Sequence, residues 1–276
     1  MALNTHDAIG RCNVLFITFD TLRHDVAVAA LEAGETPFLQ RTLPHQQWEM
    51  RHTPATFTYA AHHAFFAGYL PTPIPKPNDY QRLFACEFIG SSTTGPATWT
   101  CTESTWVEGL QAIGYHTLCI GGVGFFNQQN SLGRVLPNLF TEHHWQPELG
   151  VTDPDSTEHQ VSLALDCLQA LQQDQRFLLF LNLSALHQPN CGYLSGAQQD
   201  SPETQRAALA YVDSQLPRLF EALQYQRETL CILTSDHGTA YGEEGLWGHG
   251  VAHPCIWQVP YAEFILPQIP KHNCGN

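Results

Sequence analysis

Polar side chains that could bind a divalent ion follow two apolar runs of the sequence. Asp20 comes directly after the run "NVLFITF" at 13–19, and Asp236 and His237 follow the run at 230–234. A neighbouring carboxylate and imidazole offer an oxygen and a nitrogen ligand to one ion. For Asp20 alone, capping of a following turn or helix is an alternative. The three side chains are therefore candidate metal ligands.

The stretch "TFTYAAHHAFFAGYLP" at 56–71 adds a candidate nucleophile. If its apolar part forms a helix, Thr58 lies at the amino end, where free N–H groups and the helix dipole favour negative charge. A threonine hydroxyl is a poor nucleophile at neutral pH, but coordination to a metal ion lowers its pKa. The alternative is that Thr56 or Thr58 only caps the helix.

Five short apolar runs predict the strands that must position these residues. They lie at 13–19, 116–120, 177–183, 230–234 and 261–266. Apolar residues with helical spacing at 161–171 and 209–223 predict helices, and the alternation of strands and helices predicts a mostly parallel sheet covered on both faces. Pro217 predicts a kink or a new helix start in the second of these segments. In such a three-layer α/β/α sandwich, ligands bind beyond the carboxyl ends of the strands.

Composition and charge exclude several classes of protein. The chain has 276 residues, of which 43% are hydrophobic and 14% charged, as expected of one globular domain. Its net charge of -14 argues against nucleic acid or an anionic membrane surface as a partner. A phosphate or sulfate ester would need a metal ion to reverse the charge locally.

Neither end of the chain nor its cysteines indicate an extracellular protein. The start lacks a signal sequence, and no stretch approaches the roughly 18 to 20 apolar residues of a membrane span. The nine cysteines form no CxxC pair, which predicts free thiols. We therefore expect a cytoplasmic protein without a membrane anchor.

Several motifs resemble, in the same order along the chain, those of the alkaline phosphatase/sulfatase superfamily. They are "NVLFITFDTLRHD", "ETPFLQRTL", "TYAAHHAFFAGYLP", "FLNLSALHQPN", "AYVDSQLPRLFEAL", "SDHGTAYGEEGLWGHG" and "VPYAEFILP". The resemblance implies a single alkaline-phosphatase-like catalytic domain over 1–276, with its core at about 13–267. It also implies that Asp20, Asp236 and His237 bind the metal ion. Thr58, ten residues before the glycine that ends the third motif, is then both a ligand and the nucleophile.

The sequence departs from two branches of that superfamily. Sulfatases carry a cysteine or serine that becomes formylglycine, whereas Thr58 resembles the nucleotide pyrophosphatase/phosphodiesterase branch. Two-zinc phosphodiesterases have an aspartate four residues before a histidine, but Leu183 stands four residues before His187. The sequence therefore predicts one divalent ion, zinc or manganese, with calcium or magnesium as alternatives.

Three further histidines are assigned by the same resemblance, and a fourth, His253, by its spacing from His249. His187 and His249 are expected to bind the non-bridging oxygens of the substrate or to protonate the leaving group. His62, four residues after Thr58, is expected to bind substrate. His253 forms an H-x3-H pair with His249, so the trio His187, His249 and His253 is a candidate for a second metal site.

The leading functional hypothesis is a metal-dependent hydrolase of a small anionic phosphate monoester or diester, acting through a covalent phosphothreonine on Thr58. The alternatives are transfer of a phosphoryl or headgroup to another acceptor, a phosphomutase reaction, or a member of the superfamily that binds a ligand or protein without chemistry. The segments 71–105 and 122–157 are expected to be loops that shape the pocket. His143 and His144 match no family motif and are expected at the surface.

Overall fold

The computed structural model describes residues 5–68, 82–84, 89–90, 98–100 and 103–269. The strands in these ranges are β1 (Asn13–Phe19), β2 (Glu49–His52), β3 (Arg82–Phe84), β4 (Thr98–Thr100), β5 (His116–Ile120), β6 (Glu142–His144), β7 (Phe177–Leu183), β8 (Thr229–Thr234), β9 (Ala240–Tyr241), β10 (Trp247–Gly248) and β11 (Gln258–Leu266). The α-helices are α1 (Thr5–Ala8), α2 (His24–Glu32), α3 (Pro37–Thr42), α4 (Thr58–Ala67), α5 (Trp106–Ala112), α6 (Ser131–Val135), α7 (Ser156–Ala170), α8 (Pro202–Gln224) and α9 (Pro254–Trp257).

A seven-stranded sheet forms the middle layer, in the order β2-β11-β8-β1-β7-β5-β6. The five strands from β8 to β6 pair in parallel, while β11 is antiparallel to both β8 and β2. Every residue of β1 and β7 is buried, as expected of parallel strands covered by helices on both faces. The predicted α/β/α fold with a mostly parallel sheet is confirmed, and all five predicted strands are present.

Side chains of β1 alternate between two apolar clusters on opposite faces of the sheet. Leu15, Ile17 and Phe19 pack in the cluster that contains residues of α2, α3, α7 and α8. Val14 and Phe16 pack in the cluster that contains residues of α4 and α5. Since both layers bury β1, the position of its carboxyl end is set by the core.

One of the two predictions about long loops needs correction. The segment 122–157 is not a loop, because it contains α6 and β6. Asn130 caps α6 by accepting a hydrogen bond from Gly133 N at 2.8 Å, and β6 pairs with β5. Most of 71–105 lies outside the described residues, so its predicted role stays a prediction.

The helix α8 runs without a new start through Pro217. Its buried face includes Leu216, Leu219 and Leu223, each 0% exposed. Burying one leucine contributes about 1.5–3 kcal/mol, so this face outweighs the roughly 3 kcal/mol that proline costs inside a helix. The predicted new helix start is therefore wrong, and the alternative of a kink at Pro217 stays a prediction.

Within the described ranges, none of the helices combines the length and the apolarity needed to cross a bilayer. The cytoplasmic location stays a prediction.

Candidate active site

Asp20 and Asp236 meet because they follow neighbouring parallel strands. In the pairing of β1 with β8, Thr18 lies opposite Thr234, so the residues after each strand reach the same edge of the sheet. Asp20, Asp236 and His237 are each 0% exposed. One ligand atom from each lies within 4.8 Å of those of the other two. The structure thus brings the three predicted metal ligands together.

The chain turns sharply directly after Asp20. Thr21 has a φ of 63°, a left-handed conformation that costs a β-branched residue on the order of 1–3 kcal/mol. Three hydrogen bonds hold it: Thr21 N donates to Asp236 Oδ1 at 3.1 Å, its hydroxyl donates to Leu186 O at 3.1 Å, and Gln205 Nε2 donates to Thr21 O at 2.9 Å. The strained turn therefore fixes Asp236 against the end of β1. Asp20 is not a helix cap, since α2 begins four residues later without a side-chain cap.

Thr58 is the first residue of α4, and its side chain faces the ligand cluster. The N-cap position is occupied by Phe57, with no side-chain cap, so the alternative of a capping threonine at 56 or 58 is wrong. Thr58 is 2% exposed, and its Oγ1 lies 3.2 Å from His237 Nε2. The hydroxyl therefore lies beside the predicted metal ligands.

The loop after β8 fixes the ring of His237. Its Nδ1–H donates to Gly238 O at 2.8 Å, which leaves the lone pair of Nε2 facing Thr58. A Cβ on Gly238 would lie 1.9 Å from Cys255 O, so glycine is required where the two backbones touch.

His62 is a residue of α4, one turn after Thr58, and its side chain is 0% exposed. Its Nδ1–H donates to Thr58 O at 2.7 Å, and its Nε2 lies 3.0 Å from Thr18 Oγ1. Aromatic rings surround the imidazole, those of Phe65, Phe66, Phe126 and Phe180. Because both ring nitrogens are engaged, this placement does not support the predicted contact of His62 with substrate. It supports a role in positioning the start of α4.

The two buried carboxylates are electrostatically different. Burial raises the pKa of Asp20 well above its usual range, and the charge of Asp236 raises it further, against the hydrogen bond from Asn182. Burial also acts to raise the pKa of Asp236, but His237, His62 and two backbone N–H groups lower it overall. The surroundings therefore favour the charged form of Asp236, and a nearby cation would favour the charged form of Asp20 as well.

The residues of this cluster fit a divalent ion. Asp20 Oδ1 and Asp236 Oδ2 are buried and have no hydrogen-bond partner among the described residues, a costly arrangement. An ion between them would satisfy both oxygens, with His237 Nε2 as a nitrogen ligand and Thr58 Oγ1 beside it. This mixture of oxygen and nitrogen donors suits zinc or manganese.

His187 and His249 lie near the cluster, but His253 does not join them. The ring centroid of His249 is 4.4 Å from that of His237 and 5.7 Å from that of His187. His253 caps α9 instead, with Nδ1 accepting from Cys255 N at 3.3 Å. In the described part of the chain, the trio His187, His249 and His253 is not among the groups whose ligand atoms approach within 4.8 Å. The structure therefore does not assemble the predicted second metal site.

His187 and His249 each present a ring nitrogen for a ligand. His187 Nδ1–H donates to Gln188 O at 2.6 Å, which leaves Nε2 available. Burial, then His237 and His187, lower the pKa of His249 to about 4, so its ring is neutral at pH 7. Its Nδ1 is buried and has no hydrogen-bond partner in the described ranges.

Sequence reasoning missed three residues that hold the cluster in place. Asn182 donates to Asp20, Thr21 donates to Asp236 Oδ1, and the hydroxyl of Thr53 donates to the backbone oxygen of Asp236. Asn182 is the one polar residue of the apolar run "FLLFLNL", a signal that could have identified it. The two threonines carry no such signal.

Comparison with models of known protein families identifies the family of this chain. The family model named Sulfatase matches residues 12–262. The chain belongs to the sulfatase family. The resemblance to the alkaline phosphatase/sulfatase superfamily is thereby confirmed.

Solved structures similar to this sulfatase-family chain include a phosphoethanolamine transferase, a lipoteichoic acid synthase and a putative sulfatase. The periplasmic domain of phosphoethanolamine transferase EptC from Campylobacter jejuni has a TM-score of 0.62 at 15% identity, covering 92% of this chain and 79% of that one. The lipoteichoic acid synthase LtaP from Listeria monocytogenes has a TM-score of 0.61 at 12% identity, covering 93% of this chain and 66% of that one. The putative sulfatase YidJ from Bacteroides fragilis has a TM-score of 0.58 at 17% identity, covering 92% of this chain and 68% of that one. No curated protein matches the sequence. At these identities the structures show a shared fold.

Proposed function

We propose that this chain hydrolyses a phosphate ester through a covalent phosphothreonine on Thr58. The observation that carries the proposal is the position of the Thr58 hydroxyl, buried at the start of α4 and 3.2 Å from His237 Nε2, beside two buried carboxylates. A hydroxyl without an adjacent activating group would be a poor nucleophile. Threonine also replaces the cysteine or serine that a sulfatase needs for formylglycine, which favours a phosphate over a sulfate ester.

The proposed ligand set is Asp20, Thr58, Asp236 and His237, holding one zinc or manganese ion, with calcium or magnesium as alternatives. When bound, the ion would polarise a phosphoryl oxygen and lower the pKa of the threonine hydroxyl.

The protein's own contribution is to hold these groups in place. The hydrogen bond from His237 Nδ1–H to Gly238 O fixes the tautomer, so Nε2 accepts and cannot donate to the hydroxyl. The bond from His62 Nδ1–H to Thr58 O fixes the first turn of α4.

In the proposed reaction, Thr58 Oγ1 gives up its proton to solvent and forms a bond to phosphorus while the bond to the leaving group breaks in line. The leaving group takes a proton. Water then attacks phosphorus, the bond to Thr58 Oγ1 breaks, and one proton of the water returns to that oxygen. The ring of His249 lies next to that of His237, and the ring of His187 lies next to that of His249. These two histidines are proposed to bind the non-bridging oxygens or to supply the proton that the leaving group takes. Because its ring is neutral at pH 7, His249 is proposed for the first of these roles, donating a hydrogen bond through its N–H to a non-bridging oxygen.

Substitution of Thr58 tests this chemistry. With an aryl phosphate monoester or diester and added zinc or manganese, Thr58→Ala should lower turnover by at least about a thousandfold, as expected for a lost nucleophile. Thr56→Ala is the matched control, because that half-buried neighbour lies outside the cluster. Mass spectrometry of the acid-quenched wild type should find phosphate on Thr58. Full turnover by Thr58→Ala would remove this residue from the mechanism.

Transfer to an acceptor other than water is the second candidate. It is favoured by the names of two similar structures, a phosphoethanolamine transferase and a lipoteichoic acid synthase. The covalent step on Thr58 is the same, so product analysis with added alcohols and amino alcohols separates the two reactions. If the only phosphorus-containing product is inorganic phosphate, or a phosphate monoester from a diester, hydrolysis is supported; a phosphoester of the added acceptor supports transfer.

A further inference from the structure

A second group of metal-binding side chains lies at the edge of the sheet. Glu142 and His144 are on β6, and Cys167 is on α7; one ligand atom of each lies within 4.8 Å of the other two. In the sheet, β6 is three strand positions from β1, which is about 14 Å at the usual strand spacing. This cluster is therefore separate from the Asp20 site.

We propose that Glu142, His144 and Cys167 bind a zinc ion. Cys167 Sγ lies 3.6 Å from His144 Nε2. Tetrahedral zinc, with bonds of about 2.3 Å to sulfur and about 2.05 Å to nitrogen, sets these two atoms about 3.6 Å apart. The sulfur and nitrogen ligands are already at the separation that zinc requires.

The carboxylate of Glu142 can join them with a small movement. Its Oε1 lies 2.6 Å from His144 Nε2, a hydrogen bond that must lengthen by about 0.8 Å to match the edge of a zinc tetrahedron. The side chain of Glu142 is 34% exposed, so it has room to move. His116 on the neighbouring strand β5 holds the other oxygen, with Nε2 2.7 Å from Oε2. Such outer contacts orient the ligands of metal sites.

The chemistry of the group selects the ion. Thiolate and imidazole favour zinc and related transition metals, while calcium and magnesium prefer oxygen ligands alone. Zinc would take the place of the thiol proton of Cys167 and release it to solvent.

Cobalt(II) distinguishes this site from the Asp20 site, because a thiolate ligand gives a near-ultraviolet charge-transfer band and none of Asp20, Thr58, Asp236 and His237 contains sulfur. The protein used is the intact chain carrying Asp236→Ala and His237→Ala, titrated with cobalt(II) and then with zinc. We expect about one cobalt per chain with a thiolate band that zinc abolishes. Cys167→Ser in this background should remove the band, and His144→Asn should weaken cobalt binding at least about tenfold.

Cys255→Ser is the matched control, since Cys255 Sγ also lies near a histidine nitrogen, 2.9 Å from His253 Nδ1. The band should persist in this variant. Absence of a thiolate band in the background protein, its persistence in Cys167→Ser, or its loss only in Cys255→Ser would overturn the proposal. Failure of the Thr58 chemistry would leave each of these results unchanged, so the two proposals are tested independently.

Discussion

Asp20 and Asp236 have the same side chain and the same complete burial, but their surroundings give them different properties. Asp236 Oδ1 accepts two backbone N–H groups, from Thr21 and His237, whereas one oxygen of Asp20 accepts from Asn182 and the other has no partner in the described ranges. Asp20 is therefore the less restrained carboxylate, and its orientation depends on a single amide.

Asn182→Ala should lower the affinity of the Asp20 site for zinc by about 10-fold to 100-fold, as is usual when a partner of a metal ligand is lost. The substitution removes the donor to Asp20 and also the acceptor of Val123 N at 3.0 Å. The affinity can be measured by competition with a chromophoric chelator, in a Cys167→Ser background so that one site is observed.

The matched control is Asn13→Ala at the opposite end of β1. Asn13 is also buried, and its Oδ1 accepts from Phe177 N at 3.3 Å. This variant should lose stability but keep its affinity for zinc. Equal affinities in the two variants would show that Asn182 has no effect on the site.

Some residues of the site were predicted and others were missed because some are marked by the local sequence, whereas others depend on contacts that form only in the folded chain. Asp20, Asp236 and His237 directly follow apolar runs, so sequence alone places them at the sheet edge. The part played by Thr21 depends on a left-handed backbone and on a partner 215 positions away, which no local pattern shows. His62 was predicted on the correct helix but in contact with substrate, whereas its ring is enclosed by aromatic side chains. Helical periodicity does not say which part of the protein packs against each face of a helix.

At the level of elements, the five strands that sequence predicted are those that lie between the two edges of the main sheet. The strands it missed in the main sheet are β2 and β6, which lie at its two edges. All four residues of β2 are exposed, and β6 reads "EHH". Neither contains an apolar run, so their pairing with β11 and β5 could not be inferred. The missed strand β6 is the one that supplies two ligands of the proposed zinc cluster.

Helix α4 carries a histidine whose burial should make stability depend on pH. His63 is 6% exposed, with its ring 4.2 Å from that of Tyr59, and burial followed by His62 lowers its pKa to about 4. In the unfolded chain the ring titrates near its usual value of about 6.5. As pH falls between these values, the unfolded chain binds a proton that the folded protein does not, so stability present above about 6.5 is lost toward pH 4.

The expected loss from His63 is about 3 kcal/mol between those limits. His63→Leu should therefore be destabilised less than the wild type by acid, and the difference in unfolding free energy between the two proteins should change across this range. Urea denaturation at about pH 7.5 and about pH 4.5 measures it. A difference that stays constant with pH would mean that His63 titrates alike in the folded and unfolded states.

For the whole molecule, charge is the dominant constraint. The chain carries a net charge of -14 and still buries two carboxylates side by side at the centre of its sheet edge. The proposed metal ion would compensate these charges. Without the ion, stability and function should oppose each other at this site.

Asp236→Asn should reveal that opposition. The amide oxygen can still accept from Thr21 N and His237 N, while the new N–H group can donate to Asp20 Oδ1, which is otherwise without a partner in the described ranges. In the presence of a chelator, relief of carboxylate repulsion by about 1–2 kcal/mol should raise Tm by roughly 2–8 °C. Asp174→Asn, which makes the same charge change at an exposed position, should leave Tm nearly unchanged.

With zinc at 100 times its dissociation constant, the wild type gains about 2.7 kcal/mol from the Asp20 site, so the order of the Tm values of the wild type and Asp236→Asn should reverse. Differential scanning calorimetry under both conditions tests this, and a metal-free wild type more stable than Asp236→Asn would show that the two carboxylates do not repel each other in the folded protein.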